Sequence, residues 1–185
     1  MSKVYLAGPG VFRLDAARHG RDLVALAAQM GFEGLYPLDG ELGNISGLSG
    51  PELANRIRLA NEGLIRAADG LIADMTPFRG VSMDPGTACE IGFAYALRKP
   101  VVGYVSAERN MRDYRSRMSL SLPDGDILER GINDAGHEIF IAPDGMSVED
   151  FGLNDNLMMS AGLSGLYVGP TQALTRLKEI LEDRS

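Results

Sequence analysis

Short runs of contiguous apolar residues alternate along this chain with longer stretches in which apolar positions recur every three or four residues. The first pattern describes strands buried on both faces and the second describes helices packing one stripe against them, so the alternation predicts βαβ units wound about a parallel sheet. "KVYLAG" (3–8) reads as the first strand, "DAARHGRDLVALAAQM" (15–30) as a helix stopped by Gly31, and "EGLYPL" (33–38) as the second strand. Ser49 with Glu52 three positions on, and Pro51 inside the first turn, forms a capping box that launches a helix over 51–69. "GLIADM" is a third strand finishing at Asp74. Asp84 as N-cap and Pro85 as first helical residue then open a helix over 84–97, and "VVGYV" (101–105) makes a fourth buried strand. "HEIFIA" (137–142) is the fifth, and a closing helix over 170–185 carries Leu174, Leu177 and Leu181 on one face. Residues 106–132 are too long for an ordinary connection and predict a lid or an assembly loop. The expected architecture is α/β: one domain over 1–185, with a doubly wound, flavodoxin-like parallel sheet of about five strands and helices on both faces. Ligands in such sheets bind beyond the carboxyl ends of the strands, where the strand order switches.

Charge and composition narrow the chemistry. A net charge of -7 over 185 residues argues against a broad phosphate-binding face, so polymeric nucleic acid is not an expected partner. The locally basic "ERNMRDYRSR" (108–117) reads as a solvated loop or as a contact within an oligomer. Cys89 is the one cysteine, which excludes an intramolecular disulfide. His19 and His137 are too isolated to suggest zinc, so neither metal nor cofactor is expected. No apolar run approaches the roughly 20 residues of a membrane helix, and the first residues lack the order of a secretory signal; a cytoplasmic location is expected, with no membrane partner.

Candidate chemistry gathers at three strand ends. Gly8 and Gly10 in "GPGVFR" lack both the third glycine of a dinucleotide fingerprint and the lysine of a P-loop; a tight turn with close backbone approach to a ligand accounts for them. Asp74 can simply begin a turn and Asp84 can simply cap a helix. Glu90 is different, because its neighbours three and four positions away are Gly86, Thr87, Phe93 and Ala94, which leaves no ion pair on the helix surface. One reading makes it a solvent-facing residue favoured by the helix dipole; in the other, Gly86 and Gly92 leave room for a substrate against the carboxylate. Several acids in one cleft raise one another's pKa and separate proton-donor from nucleophile roles, which is the outline of glycosyl transfer. No serine, histidine and acid constellation competes.

"KVYLAGP", "ADMTPFRG", "DPGTACEIGFAYALRKPVVGY" and "NDNLM", in that order and spacing, resemble the nucleoside 2-deoxyribosyltransferase family over most of the chain. The resemblance implies that Glu90 is the nucleophile attacking C1′ of a 2′-deoxynucleoside, that Tyr5 orients it, that Asp84 grips the deoxyribose hydroxyls, and that Asp74 contacts the base and assists its proton transfer. It implies that Asn156 and Met158 reach the sugar of a neighbouring subunit, in a homo-oligomer with shared active sites. Phe12, beside the first turn, is either a platform for the base or a core residue, and Asp39 is offered for base recognition. The implied partners are a 2′-deoxynucleoside and a free nucleobase. Two departures from shorter family members stand out: the long segment before "NDNLM" and the 27 residues that follow Met158. Rival readings are a hydrolase releasing the base of 2′-deoxynucleoside 5′-monophosphates, with Arg13 or Arg79 on the phosphate, and a non-catalytic nucleotide-binding module.

Overall fold

Apolar residues in β1 (Ser2–Ala7) alternate between two destinations: Val4 and Leu6 point to one face of the sheet, Tyr5 and Ala7 to the other, and all four are buried. A strand covered on both sides has no polar face, which is why it reads as a continuous apolar run. The computed structural model describes residues 1–37 and 42–184, and Asp39 lies outside them. β2 (Phe32–Leu35), β3 (Gly70–Asp74), β4 (Val101–Val105) and a short β8 (Leu166–Val168) join β1 in a five-stranded sheet, every pairing parallel, in the order β2-β1-β3-β4-β8. The expected flavodoxin-like order is present. The chain winds from β1 to β2 in one direction and returns to place β3 on the other side of β1, so the switch point lies between the ends of β1 and β3.

The helices α1 (Ala16–Gln29) and α6 (Pro170–Glu182) cover one face through Leu23, Ala27, Leu174 and Leu177. On the other, α2 (Gly50–Ala67) and α3 (Pro85–Ala96) bring Ile65, Ile91 and Ala94 against Tyr5, Leu71 and Val101. The predicted capping pair is in place, with Glu52 accepting from the Ser49 N–H at 2.8 Å and from its hydroxyl at 2.7 Å. No helix among the described residues is long and apolar enough to cross a membrane.

One expectation is corrected. The "HEIFIA" segment is not the fifth strand of the main sheet. Its core, β6 (Glu138–Ile141), pairs antiparallel with β5 (Glu129–Ile132) and β7 (Ser147–Val148) in a separate three-stranded sheet. Connections of only a few residues flank it, and these can only fold the chain back antiparallel; a parallel partner needs a crossover of a dozen or more residues. Asn133 Oδ1 accepts from the N–H groups of Ala135 and His137, and Gly136 takes the left-handed φ of 79° that the turn needs. The fifth parallel position goes instead to the three residues of β8, within a glycine-rich stretch. The segment 106–132 is also more than a connection. It contains α4 (Tyr114–Ser121), whose first turn is capped by Asp113 accepting from the Ser116 N–H at 2.9 Å, and Asn154 Nδ2 donates to the carbonyls of Asn110 and Arg112.

Candidate active site

β1 presents the Tyr5 side chain to the face covered by α3, and there its hydroxyl donates to Glu90 Oε1 at 2.6 Å. Tyr5 is fully buried. Glu90 is half-buried, and no ion pair holds it among the described residues. The reading of Glu90 as a solvent-facing helix residue is therefore set aside. Burial pushes its carboxyl up to about 7; the Tyr5 hydrogen bond opposes that rise and the neighbouring Asp84 charge adds to it. The Tyr5 phenol is itself driven upward, first by burial and then by the Glu90 charge, so it stays a donor at any ordinary pH.

Asp84 opens α3. It is buried, and its Oδ2 accepts from the Thr87 N–H at 2.8 Å and the Thr87 hydroxyl at 3.0 Å. Both of those bonds fall on one oxygen, so capping and binding a substrate hydroxyl can coexist on the same carboxylate.

At the end of β3, Asp74 Oδ1 accepts from the Thr76 N–H and hydroxyl, and neither bond uses Oδ2. Gly8, directly after β1, presses on this aspartate: a Cβ at residue 8 would fall 2.8 Å from Asp74 Cβ. That close approach explains the glycine better than any phosphate cradle does. Asp74 lines a cavity of about 230 Å³ together with Gly10, Phe12, Arg13, His19 and Phe78. Phe12 is 56% exposed, so it is not a core residue. Its ring stacks on Phe78 with centroids 5.5 Å apart and planes 22° apart, and the Arg79 guanidinium sits 4.7 Å from the Phe78 centroid and 5.6 Å from that of Phe12. Arg79 holds a left-handed φ of 54°, a conformation uncommon for a residue with a Cβ. A larger cavity, about 540 Å³, lies against α4 and the small sheet, but it is lined by Arg112, Arg115, Ser116, Ser119 and apolar groups and has no carboxylate in its lining.

The "NDNLM" segment holds a structural centre that the sequence reading passed over. Asp155 is buried, and it accepts from the Ser82 hydroxyl at 2.6 Å and the Met83 N–H at 2.8 Å, so it pins the loop that delivers Asp84. The buried Arg117 faces it with Nη2 at 3.5 Å from Oδ2. Asn156 caps the short α5 (Leu157–Ser160) by accepting from the Met158 N–H, and donates to Glu149 Oε1 at 2.6 Å; Met158 is 73% exposed. Neither Asn156 nor Met158 lines the cavity within this chain. The structure thus pairs Tyr5 with Glu90, sets Asp84 at the N-cap of α3 six residues before Glu90, and gathers Asp74 and Phe12 at the cavity with Gly8 packed against Asp74, while Tyr5, Asp84, Glu90, Asn156 and Met158 are not among the residues lining it. Phe78 escaped the sequence reading, Arg79 entered it only as a phosphate ligand of a rival reading, and His19 only as too isolated for zinc. An aromatic and a cation in the proline and glycine loop after Asp74 were a usable signal for the first two, whereas nothing local marks His19.

The model of the nucleoside 2-deoxyribosyltransferase family matches residues 4–158, a span that contains every one of these acidic groups. The chain belongs to that family. Its sequence is 32% identical over 160 residues to an uncharacterized protein of Schizosaccharomyces pombe, covering 84% of this chain and 74% of that protein. Among solved structures, a 2-desoxiribosyltransferase from Leishmania mexicana is similar with a TM-score of 0.69, at 29% identity over 97% of this chain and 98% of its own. A conserved protein from Enterococcus faecalis V583 shares the fold, with a TM-score of 0.57 at 23% identity over 97% and 99% of the two chains. The match to the Leishmania protein, at 97% of this nucleoside 2-deoxyribosyltransferase family member, reaches beyond residue 158, where the match to the family model stops.

Proposed function

We propose that this chain exchanges the bases of 2′-deoxynucleosides through a covalent deoxyribosyl ester on Glu90. The observation that carries this reading is the Tyr5–Glu90 hydrogen bond at the sheet's switch point, which orients an unpaired and partly desolvated carboxylate. Tyr5 holds Oε1, and Oε2 attacks C1′ as the bond from C1′ to the base nitrogen breaks. Asp74 hands a proton to the departing base. The incoming base then attacks C1′ through its own ring nitrogen, the ester C–O bond breaks to free Glu90, and Asp74 takes up the proton the new base gives off. Two inversions give net retention. Asp84 holds the sugar hydroxyls, Gly8 lets the turn after β1 close on Asp74, and Phe12 with Phe78 supplies a flat apolar wall for the base.

The substrates are small molecules met in the cytoplasm. Asn156 and Met158 serve a second copy of the chain, a reading supported by the exposure of Met158 and its neighbour Leu157 beyond this chain's own cavity. Hydrolysis of a 5′-monophosphate would need a cation for the phosphate, yet Arg13 is taken up by Asp15 at 2.8 Å and Arg79 lies over the two phenylalanine rings. A non-catalytic module gives no reason to hold a carboxylate against its solvation. Incubation with deoxyinosine and adenine is expected to yield deoxyadenosine and hypoxanthine, and trapping with peptide mass analysis to find the deoxyribosyl group on Glu90. An adduct on another residue, or no exchange with any pair of bases, defeats the proposal.

The ionisation of Glu90 sets a pH dependence. A nucleophilic carboxylate must be deprotonated, so kcat/KM for the donor nucleoside is expected to rise with pH around a midpoint near 7 rather than 4.5. Tyr5→Phe removes the one contact that lowers the Glu90 pKa, so the midpoint moves to higher pH and the plateau rate falls about 10- to 100-fold. A rate profile already flat by pH 6, or one unmoved by Tyr5→Phe, would count against this role for the pair.

A further inference from the structure

Within the cavity that receives the base under the proposed function, the polar side chains differ in what they have left to offer. Arg13 is engaged by Asp15 through Nε at 2.8 Å and Nη2 at 3.2 Å. Asp74 is half engaged by Thr76. The imidazole of His19, at the end of the first turn of α1, forms neither a hydrogen bond nor an ion pair among the described residues, yet it lines the same cavity.

Its ring is also held in place. A Cβ on Gly10 would fall 2.6 Å from His19 Nε2 and 3.0 Å from the Tyr36 hydroxyl, and one on Gly20 would fall 2.6 Å from the Tyr36 ring. Two glycines thus open the slot in which His19 sits edge-on to Tyr36, with centroids 6.4 Å apart and planes at 74°. A side chain fixed by packing keeps its polar atoms aimed without a further loss of freedom when a ligand arrives, which is the condition for discriminating between ligands.

We propose that His19 is a specificity-determining residue that reads the polar edge of the nucleobase left free by Asp74. A neutral imidazole carries one donor and one acceptor, and can meet either a ring carbonyl or an exocyclic amino group according to its tautomer. A purine offers such groups along two edges. Asp74 serves one during proton transfer, and His19 meets the other while one face of the base lies against the stacked Phe12 and Phe78. This inference rests on the proposed function for the identity of the ligand.

The test uses deoxyguanosine as donor with adenine and hypoxanthine as competing acceptors. His19→Phe keeps a flat ring of similar size and removes both nitrogens. The ratio of kcat/KM for the two acceptors is expected to change about tenfold, mainly through acceptor KM. An unchanged ratio in a folded His19→Phe protein overturns the inference while leaving base exchange intact. Should that variant fail to fold, His19→Gln and His19→Met are compared: the glutamine must hold the ratio nearer the parent's, and equal ratios refute the role. If the parent itself performs no exchange, the function proposal has failed separately. Calorimetric binding of free adenine then decides for His19, with loss of binding in the variant supporting it and undiminished binding opposing it.

Discussion

Glu90→Gln is expected to abolish base exchange, with kcat falling by about a thousandfold or more, and at the same time to make the chain more stable at pH 8. Under the proposed function the loss of rate follows from removing the carboxylate that forms the ester, since an amide is a far weaker nucleophile. The gain in stability follows from linkage. Burial raises the Glu90 carboxyl from 4.5 to about 7, so between those values the folded chain keeps a proton that the unfolded chain releases. Stability therefore falls as pH rises through that window, and above about 7 the full penalty is present. Glutamine keeps an oxygen to accept from Tyr5 and carries no charge to desolvate. With partial access of water to the site taken into account, the gain is on the order of 2 kcal/mol at pH 8 and vanishes near pH 4. Denaturant midpoints of parent and variant at the two pH values measure it. A variant no more stable at pH 8 than at pH 4, relative to the parent, would mean that Glu90 is better solvated than its surroundings indicate.

Asp155→Ala should be among the most destabilising single substitutions in the chain, at about 3–5 kcal/mol, because it leaves the Arg117 guanidinium buried without a counter-charge. Burial already pulls the Arg117 pKa below its ordinary value, and the Asp155 charge is the main influence opposing that. The substitution also frees the Ser82 hydroxyl and the Met83 N–H, so the loop leading to Asp84 loses its anchor and exchange should weaken even in the folded fraction. Arg117→Met in the same chain removes the orphaned charge, and a double-mutant cycle is expected to recover 1 kcal/mol or more, in round figures about a third of the loss. Strict additivity of the two substitutions would show that the pair is not coupled and that Asp155 acts through the loop alone.

The parts of this molecule that could be read from the chain are those whose physics is local. β1, β3 and β4 are buried on both faces and so appear as uninterrupted apolar runs, and α2 and α3 announce their starts through Ser49 with Glu52 and through Asp84 with Pro85. Glu90 was conspicuous for the same reason: a charge at helical spacing from glycines and aromatics, with no partner in reach, is visible along one helix. Tyr5 as its partner came only through resemblance, because 85 residues separate the two and no pattern of spacing joins a strand to a later helix.

What the tertiary structure decided is which distant segments meet. β8 is three residues long and becomes a strand by lying beside β4, while the more strand-like "EIFI" is captured by its own hairpins. His19 and Phe12 share a cavity with Asp74 only because α1 packs where it does, and Asp155 matters only because Arg117 and the loop before Asp84 converge on it. The sequence by itself determined the first four parallel strands, the helices between them, the doubly wound class and the solitary carboxylate, since these rest on side-chain periodicity and on backbone caps a few residues wide. The distances that turn that carboxylate into a poised group depend on chain packing across the sheet, where the energetics of burial and hydrogen bonding are set by neighbours remote in the chain.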